Sequence, residues 1–367
     1  MPVITEEELG IAVDLKGCPN RCRHCYAGAR GTGKLSAEDL RWAVRQFREF
    51  IDSKGNTTPI RRLTVASWWY EPDYADNYRE LFELERELTD GTPNRHELLS
   101  IWRLARDPAY ALWAKEVRLD TCQITFFGME ETTDWFIRRR GAFRDALAAT
   151  ERLLEVGMKP RWQLFLTKRG IPELQEFMAL VARLRLRERV EALGAKFHLF
   201  AHAPSPEAEA AKIEDLRPEV EDMARVPAEL IESSRQHFHN QGPLWHTEAE
   251  LLSQIMSEDE AFPYGYEHLK RFLMLVKSNW DVYPNDGAYD EWWKIGNLRR
   301  HSVAEIVARY EANDSPGLRT IYSVSPRSLA KQYGDPQGRR IYSNRDDLLC
   351  RYIWRYCDER TRTSATD

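Results

Sequence analysis

Between residues 11 and 202 the chain alternates short apolar runs with long amphipathic stretches, and this alternation limits the fold more than any other feature. "IAVDL" (11–15), "RLTVASW" (62–68), "TCQITFFG" (121–128), "RWQLFLT" (161–167) and "AKFHLFAH" (195–202) read as strands. Helical patterns lie between them. "SAEDLRWAVRQFREFI" opens on Ser36 as an N-cap and sets Leu40, Ala43, Val44, Phe47 and Ile51 at helical spacing. "NYRELFELEREL" (77–88), "GAFRDALAATERLLEVG" (141–157, closed by Gly157) and a segment from Pro172 to Leu186 continue the series. Strands alternating with helices of this length build parallel βαβ units, so the chain reads as α/β, a barrel or an open sheet.

Near residue 204 the pattern changes. "APSPEAEAAKIEDLRPEVEDMARVP" is polar, punctuated by proline and helical in pieces, and "RFLMLVKSNWDVYPNDG" (271–287) reads as a hairpin about a Lys-Ser-Asn turn. "SVAEIVARYEA" (302–312) is a helix, and the Arg- and Tyr-rich tail ends in "RTRTSATD", which reads as frayed. A length of 367 residues suffices for one large domain and a smaller one. The net charge of −5 gives no electrostatic ground for a nucleic-acid partner. No apolar run reaches the roughly 18 residues a membrane span needs, and the acidic start "TEEE" is not a signal peptide.

Three of the six cysteines, Cys18, Cys22 and Cys25, crowd into "GCPNRCRHCYAG". Such clustering does not suit a secreted disulfide framework and points to a reducing cytoplasm. The loop follows the first strand directly, at the carboxyl end where parallel α/β folds gather their ligands. A zinc knuckle, a disulfide staple, a redox pair and an iron–sulfur loop all use clustered thiols. Zinc needs four ligands, usually as two C-x-x-C-like pairs, and no second pair exists; Cys350 and Cys357 are seven positions apart. A 4Fe–4S cluster held by only three thiolates leaves one iron open to another ligand.

The spacing C-x-x-x-C-x-x-C followed by Tyr26 resembles the signature of the radical S-adenosylmethionine (SAM) enzymes. That resemblance implies a partial (β/α)6 TIM-like barrel in which Cys18, Cys22 and Cys25 ligate one 4Fe–4S cluster, with Tyr26 among the cofactor contacts. The open iron would chelate SAM, and the reduced cluster would cleave it to a 5′-deoxyadenosyl radical that abstracts hydrogen from a substrate. In "CQITFFGMEETTDWFIRRRG", Thr125 occupies the place of the family's serine, Gly128 that of its glycine, and Asp134 and Arg138 those of its acidic and basic pair. By that likeness Thr125 contacts the ribose or the carboxylate of SAM, and Arg138 a carboxylate, with Arg139 and Arg140 equally placed. In "WWYEPDY" Glu71 and Pro72 fit the family's second-strand motif, while Trp69 and Tyr70 replace two glycines that let backbone approach the ligand. Glu71 is then expected at the amino group of SAM.

"WDVYPNDGAYDEWWKIGNLRRHSVAEIVARYEA" resembles the C-terminal extension of the SPASM and twitch subgroup, with Asn285 where its first cysteine would stand. The expected architecture is a barrel over 1–215 and, over 216–367, a helical linker and a smaller α+β cap poor in cysteine. Trp280, Tyr283, Tyr289, Trp292 and Trp293 make that cap aromatic. The expected activity is radical modification of a peptide or protein, with a small metabolite as second choice and flavodoxin or ferredoxin as reductant. A non-catalytic metal or iron–sulfur scaffold is the competing class. Of the histidines, His237 and His239 have the H-x-H spacing of a strand and with His246 form a weak metal candidate. His198 and His202 alternate along one strand toward the cavity, and His24 sits between cluster ligands.

Overall fold

The strand-like runs fold as the alternation predicts. The computed structural model describes residues 4–28, 33–91, 97–257, 272–285 and 289–364. Its strands are β1 Glu8–Val13, β2 Arg62–Ala66, β3 Thr121–Phe126, β4 Lys159–Phe165, β5 Leu199–His202, β6 His246–Thr247, β7 Phe272–Val276, β8 Asp281–Pro284, β9 Gly296–Asn297 and β10 Ile341–Tyr342. They assemble into a sheet of order β2-β1-β7-β8-β9, a second of order β3-β4-β5, and a short β6–β10 pair. β1 runs parallel to both β2 and β7, and β3, β4 and β5 are parallel to one another. These six parallel strands and their helices form the partial TIM-like barrel, with the antiparallel β7–β8 hairpin opening a smaller α+β cap.

The helices form for local reasons. Ser36 caps Ala37–Lys54 by a reciprocal pair with Asp39, and Leu40, Ala43, Val44, Phe47 and Ile51 are all buried. Of these, Leu40, Val44, Phe47 and Ile51 each contribute roughly 1.5–3 kcal/mol when removed from water. Ala142–Glu155 ends before Gly157, whose φ of 72° turns the chain into β4. In β3 and β4 burial alternates, so Ile124, Phe126, Trp162 and Leu164 enter the helix-covered core while Gln123, Thr125, Arg161 and Gln163 point to the other face, the inside of the barrel.

Several boundaries differ from the sequence reading. The helix expected over 172–186 is a 3-10 turn, Ile171–Glu173, followed by an α-helix over Leu174–Arg183. The strand expected from 195 begins only at Leu199. His237 closes the helix Ala228–Phe238 and His239 is its left-handed cap, so the H-x-H pair is helical and not on a strand. The tail is helix from Arg345 to Ser364 instead of frayed; residues 365–367 lie outside the described residues. The hairpin lies where expected, apart from Arg271 and residues 286–288, which are also outside them. Among the described residues no helix is long and apolar enough to cross a membrane.

Candidate active site

The cysteine loop begins where β1 ends. Asp14 continues the ladder by donating its N–H to Val276 at 2.9 Å, and its carboxylate then accepts the Gly17 N–H at 2.9 Å to start the turn. The chain returns so close at Gly33 that a Cβ there would lie 2.5 Å from the Lys16 carbonyl carbon, which only glycine avoids. On its far side the loop is pinned to the helix Glu130–Ile137: Arg21 and Arg23 donate their N–H groups to Ile137 and Phe136 at 3.2 and 2.7 Å. Asp134 accepts the Gly141 and Phe143 N–H groups at 2.5 and 2.9 Å, which fixes the end of that helix. Arg138, its side chain 39% exposed, pairs with Glu209 at 3.7 Å rather than with Asp134.

Cys18, Cys22 and Cys25 are all free thiols. Burial pushes the Cys18 and Cys22 thiols well up, and the nearby negative charges of Glu71 and the sister cysteines add to this; burial also raises Cys25, to about 11. Cys18 Sγ lies 4.0 Å from Glu71 Oε2. The other Glu71 oxygen accepts from the Ser100 hydroxyl at 2.7 Å, and burial lifts the carboxyl to about 7 against the pull of Ser100 and the Trp102 N–H. Ser100 was passed over in the sequence. Its one signal is its place as N-cap of the short helix Ile101–Leu104. Among the described residues no three His, Cys, Asp or Glu side chains are gathered to hold a metal ion, and His237, His239 and His246 form no such group.

Inside β3, β4 and β5 runs a polar ladder. Arg161 donates to Gln123 Oε1 at 2.9 Å, Gln123 donates to Gln163 Oε1 at 2.7 Å, and the Thr125 hydroxyl lies 3.0 Å from the same oxygen. Gln163 Nε2 then meets His202 Nε2, whose Nδ1 lies 2.9 Å from the Ala203 carbonyl. Polarity follows from one end, because a guanidinium only donates. Gln123 must turn its oxygen to Arg161 and its amide protons to Gln163. Gln163 must in turn present its own NH2 to His202, which therefore carries its proton on Nδ1. Thr125 has only the Gln163 oxygen to face and donates to it, which leaves its lone pairs for a ligand that donates. Burial keeps His202 neutral, its pKa held down at about 4. The signal for Gln123 and Gln163 was present as polar residues at every second place in "TCQITF" and "RWQLF".

Tyr26 is 58% exposed, and its ring centroid lies 6.3 Å from that of Tyr289 in the cap. Trp69 and Tyr70, in the place of the two glycines, stack on each other, Trp69 meets Tyr289 edge-on at 4.5 Å, and Tyr70 donates to the Ala27 carbonyl at 3.3 Å. His24 packs against the stacked pair Phe127 and Phe165, ring centroids 4.5 and 5.0 Å away.

Fold and loop together define the class: a parallel partial barrel whose first βα loop carries three thiols beside a buried carboxylate. Residues 13–184 match the Radical SAM superfamily, and this stretch is a radical SAM domain. Its cofactors are those of the superfamily, a 4Fe–4S cluster and SAM. No curated protein matches the chain. Among solved structures the chain is similar to anSMEcpe with bound AdoMet and Cp18Cys peptide, at 14% identity and a TM-score of 0.50, covering 98% of this chain and 99% of that one. Streptococcus suis SuiB bound to precursor peptide SuiA is similar at 14% identity and a TM-score of 0.40, over 95% and 70% of the two chains. The Escherichia coli coproporphyrinogen III oxidase HemN, a radical SAM enzyme, follows at 12% identity and a TM-score of 0.40, over 96% and 91%. At such identities the likeness concerns the fold.

Proposed function

We propose that the chain is a radical SAM enzyme of the SPASM/twitch type that modifies a peptide or protein, with a cap poor in cysteine and one cluster held by Cys18, Cys22 and Cys25. The observation that carries this is three free thiols on the loop at the carboxyl end of β1, with Glu71, from the segment that follows β2, brought to within 4.0 Å of Cys18. The donor set fits an iron–sulfur group: burial and mutual repulsion disfavour thiolates here unless a cationic centre compensates them. When bound, the cluster and SAM supply the electron and the hydrogen-abstracting radical.

The chain's own residues bind and orient. Ser100 holds one oxygen of Glu71, which leaves Oε2 on the Cys18 side to meet the ammonium of SAM. Thr125, its proton committed to Gln163, accepts from a donor, which favours a ribose hydroxyl over a carboxylate. Tyr26 stands exposed at the rim as a further cofactor contact. Arg138 takes a carboxylate by exchanging its partner Glu209. The barrel, 1–215 with β7 as its sixth strand, and the linker and cap over the rest of 216–367 divide the work between cofactor and substrate. The aromatic cap, and the peptide bound in the anSMEcpe structure, support a peptide substrate. A flavodoxin or ferredoxin is the reductant.

Anaerobic reconstitution with iron and sulfide tests the reading. About four irons per chain and release of 5′-deoxyadenosine under dithionite are expected. One zinc per chain with no SAM cleavage would establish the scaffold class instead.

A further inference from the structure

The inner face of the β2-β1-β7 sheet is hollow. In register, Thr64, Gly10 and Leu273 form one row across the three strands, and Ala66, Ala12 and Leu275 the next. Four of these six side chains are no larger than threonine, so the strands leave space where the opposite face is filled by Leu9, Ile11, Val13, Leu63 and Val65. The space is a cavity of about 260 Å³. Its rim is aromatic: Tyr26 and Trp69 from the barrel loops and Tyr289 from the cap, with Leu98 standing 39% exposed at the edge. Among the described residues no charged side chain lines it.

The polar groups that line it are neutral. Thr64 Oγ1 is buried with no hydrogen-bond partner, the residue being only 7% exposed. Asn285 also lines it, its oxygen accepting from the Tyr289 hydroxyl at 2.8 Å, and Tyr26, Trp68 and Trp69 are the other lining residues with a polar atom. Tyr289 is itself anchored, since Lys277 donates to its carbonyl at 3.1 Å while the ammonium lies 4.4 Å from the Tyr283 ring centroid. The rim is therefore built, not loose.

We propose that this cavity receives one uncharged side chain of the substrate, of aromatic size and with a single hydrogen-bonding atom that pairs with Thr64. Size and polarity both select it. An apolar cavity of about 150 Å³ already holds benzene, so 260 Å³ admits a phenol or an indole. A charged group entering a wall without counter-charge loses several kcal/mol of hydration, enough to exclude it. A neutral hydroxyl or indole N–H instead gives Thr64 the partner it lacks. That the bound group is the substrate's rests on the radical-enzyme reading; that the cavity binds such a group does not.

The test is anaerobic calorimetric titration of the reconstituted full chain with p-cresol, indole, toluene, benzoate and phenethylammonium, with iron content and SAM cleavage measured on the same preparation. Saturable binding of p-cresol and indole is expected, with benzoate and phenethylammonium at least about tenfold weaker. Ala12→Leu, projecting into the hollow, is expected to weaken p-cresol by about tenfold or more. Thr64→Val keeps the shape and is expected to erase the preference for p-cresol over toluene, so it carries the test if Ala12→Leu does not fold. The proposal is overturned by charged probes binding as tightly as neutral ones, by no saturable binding of any neutral probe, or by an unchanged preference in Thr64→Val. Neutral probes that bind to a chain without iron or SAM cleavage would remove the radical reading and leave the cavity. Cleavage without probe binding would do the reverse.

Discussion

The two sheets of the barrel share a strand architecture and differ inside. Across β2, β1 and β7 the inward positions are Thr64, Gly10, Leu273, Ala66, Ala12 and Leu275, small or apolar, and they enclose volume. Across β3, β4 and β5 they are Gln123, Thr125, Arg161, Gln163 and His202, and they enclose a directed chain of hydrogen bonds. Glycine and alanine are poor strand residues. β1 offsets this because it is hydrogen-bonded on both sides and buries Leu9, Ile11 and Val13 outward. The polar sheet carries a different cost: its inward groups need partners, since an unpaired buried one costs about 1–3 kcal/mol, and the Arg161 Nε is left without one. The comparison teaches that strand period sets where side chains point, while the barrel is free to assign one wall to space and the other to polarity.

The widest break of this picture removes what both walls face. Replacing Cys18, Cys22 and Cys25 together by Ala is expected to abolish bound iron and 5′-deoxyadenosine formation while the chain stays folded, because the three thiols are only partly buried and none is a member of either core. Iron at the wild-type level in the triple variant would refute the ligand assignment.

The polar wall is tested at its hub. Gln163→Leu strands the Thr125 hydroxyl and the Gln123 amide, so the KM for SAM is expected to rise roughly tenfold and more than kcat falls. Gln163→Glu keeps an acceptor for Thr125 and Gln123 but faces the lone pair of His202 Nε2 with a carboxylate, so it is expected to recover only part of that affinity. Steady-state kinetics at fixed reductant reads both, and an unchanged KM in Gln163→Leu would separate the ladder from the cofactor.

Opposite pH dependences sharpen the contrast further. His202, in the polar wall, titrates at about 4 when folded against 6.5 when free. Its contribution to stability is full above pH 6.5 and is lost as the pH falls toward 4, on the order of 2 kcal/mol. Asp290 in the cap is pushed by burial from 3.8 to about 6, so its contribution is full below pH 3.8 and is lost as the pH rises through 6. In urea unfolding, His202→Gln is expected to flatten the rise of stability with pH, and Asp290→Asn to remove a loss that runs the other way. Equal slopes in wild type and His202→Gln would show that His202 charges freely in the folded chain.

The smallest effect belongs to the apolar wall. With no ligand present Thr64→Val removes an unpaired buried hydroxyl, so thermal unfolding is expected to shift upward by about 1 kcal/mol in stability. A clear loss of stability would mean that Thr64 has a partner in solution.

Much of this was legible before any coordinates. The strands, the helix over Ala37–Lys54 and the hairpin follow from periods of two and 3.6 within single segments, and the thiol spacing is covalent. The segment from 97 to 117 was not read at all, because its two helices are short and weakly patterned. Yet it delivers Ser100 to Glu71, 29 positions away. Asp134 and Arg138 matched an acidic and a basic position of a pattern, but what each does was not in it: Asp134 accepts the Gly141 and Phe143 N–H groups at the start of the next helix, and Arg138 pairs with Glu209.

What the sequence by itself determined is therefore local: which residues form strands and helices, which side of each is apolar, and that three thiols share one loop after the first strand. Those properties depend on neighbours within about ten residues, where backbone geometry and side-chain spacing leave little choice. The tertiary structure alone decided that β7, from the far end of the chain, lies beside β1, that Gln163 joins Thr125 to His202, and that small residues on two strands face the same hollow. Register and packing between distant segments set these, and they are fixed only when the strands pair, because each strand's pattern is compatible with several neighbours and its hydrogen-bonding edge carries no address.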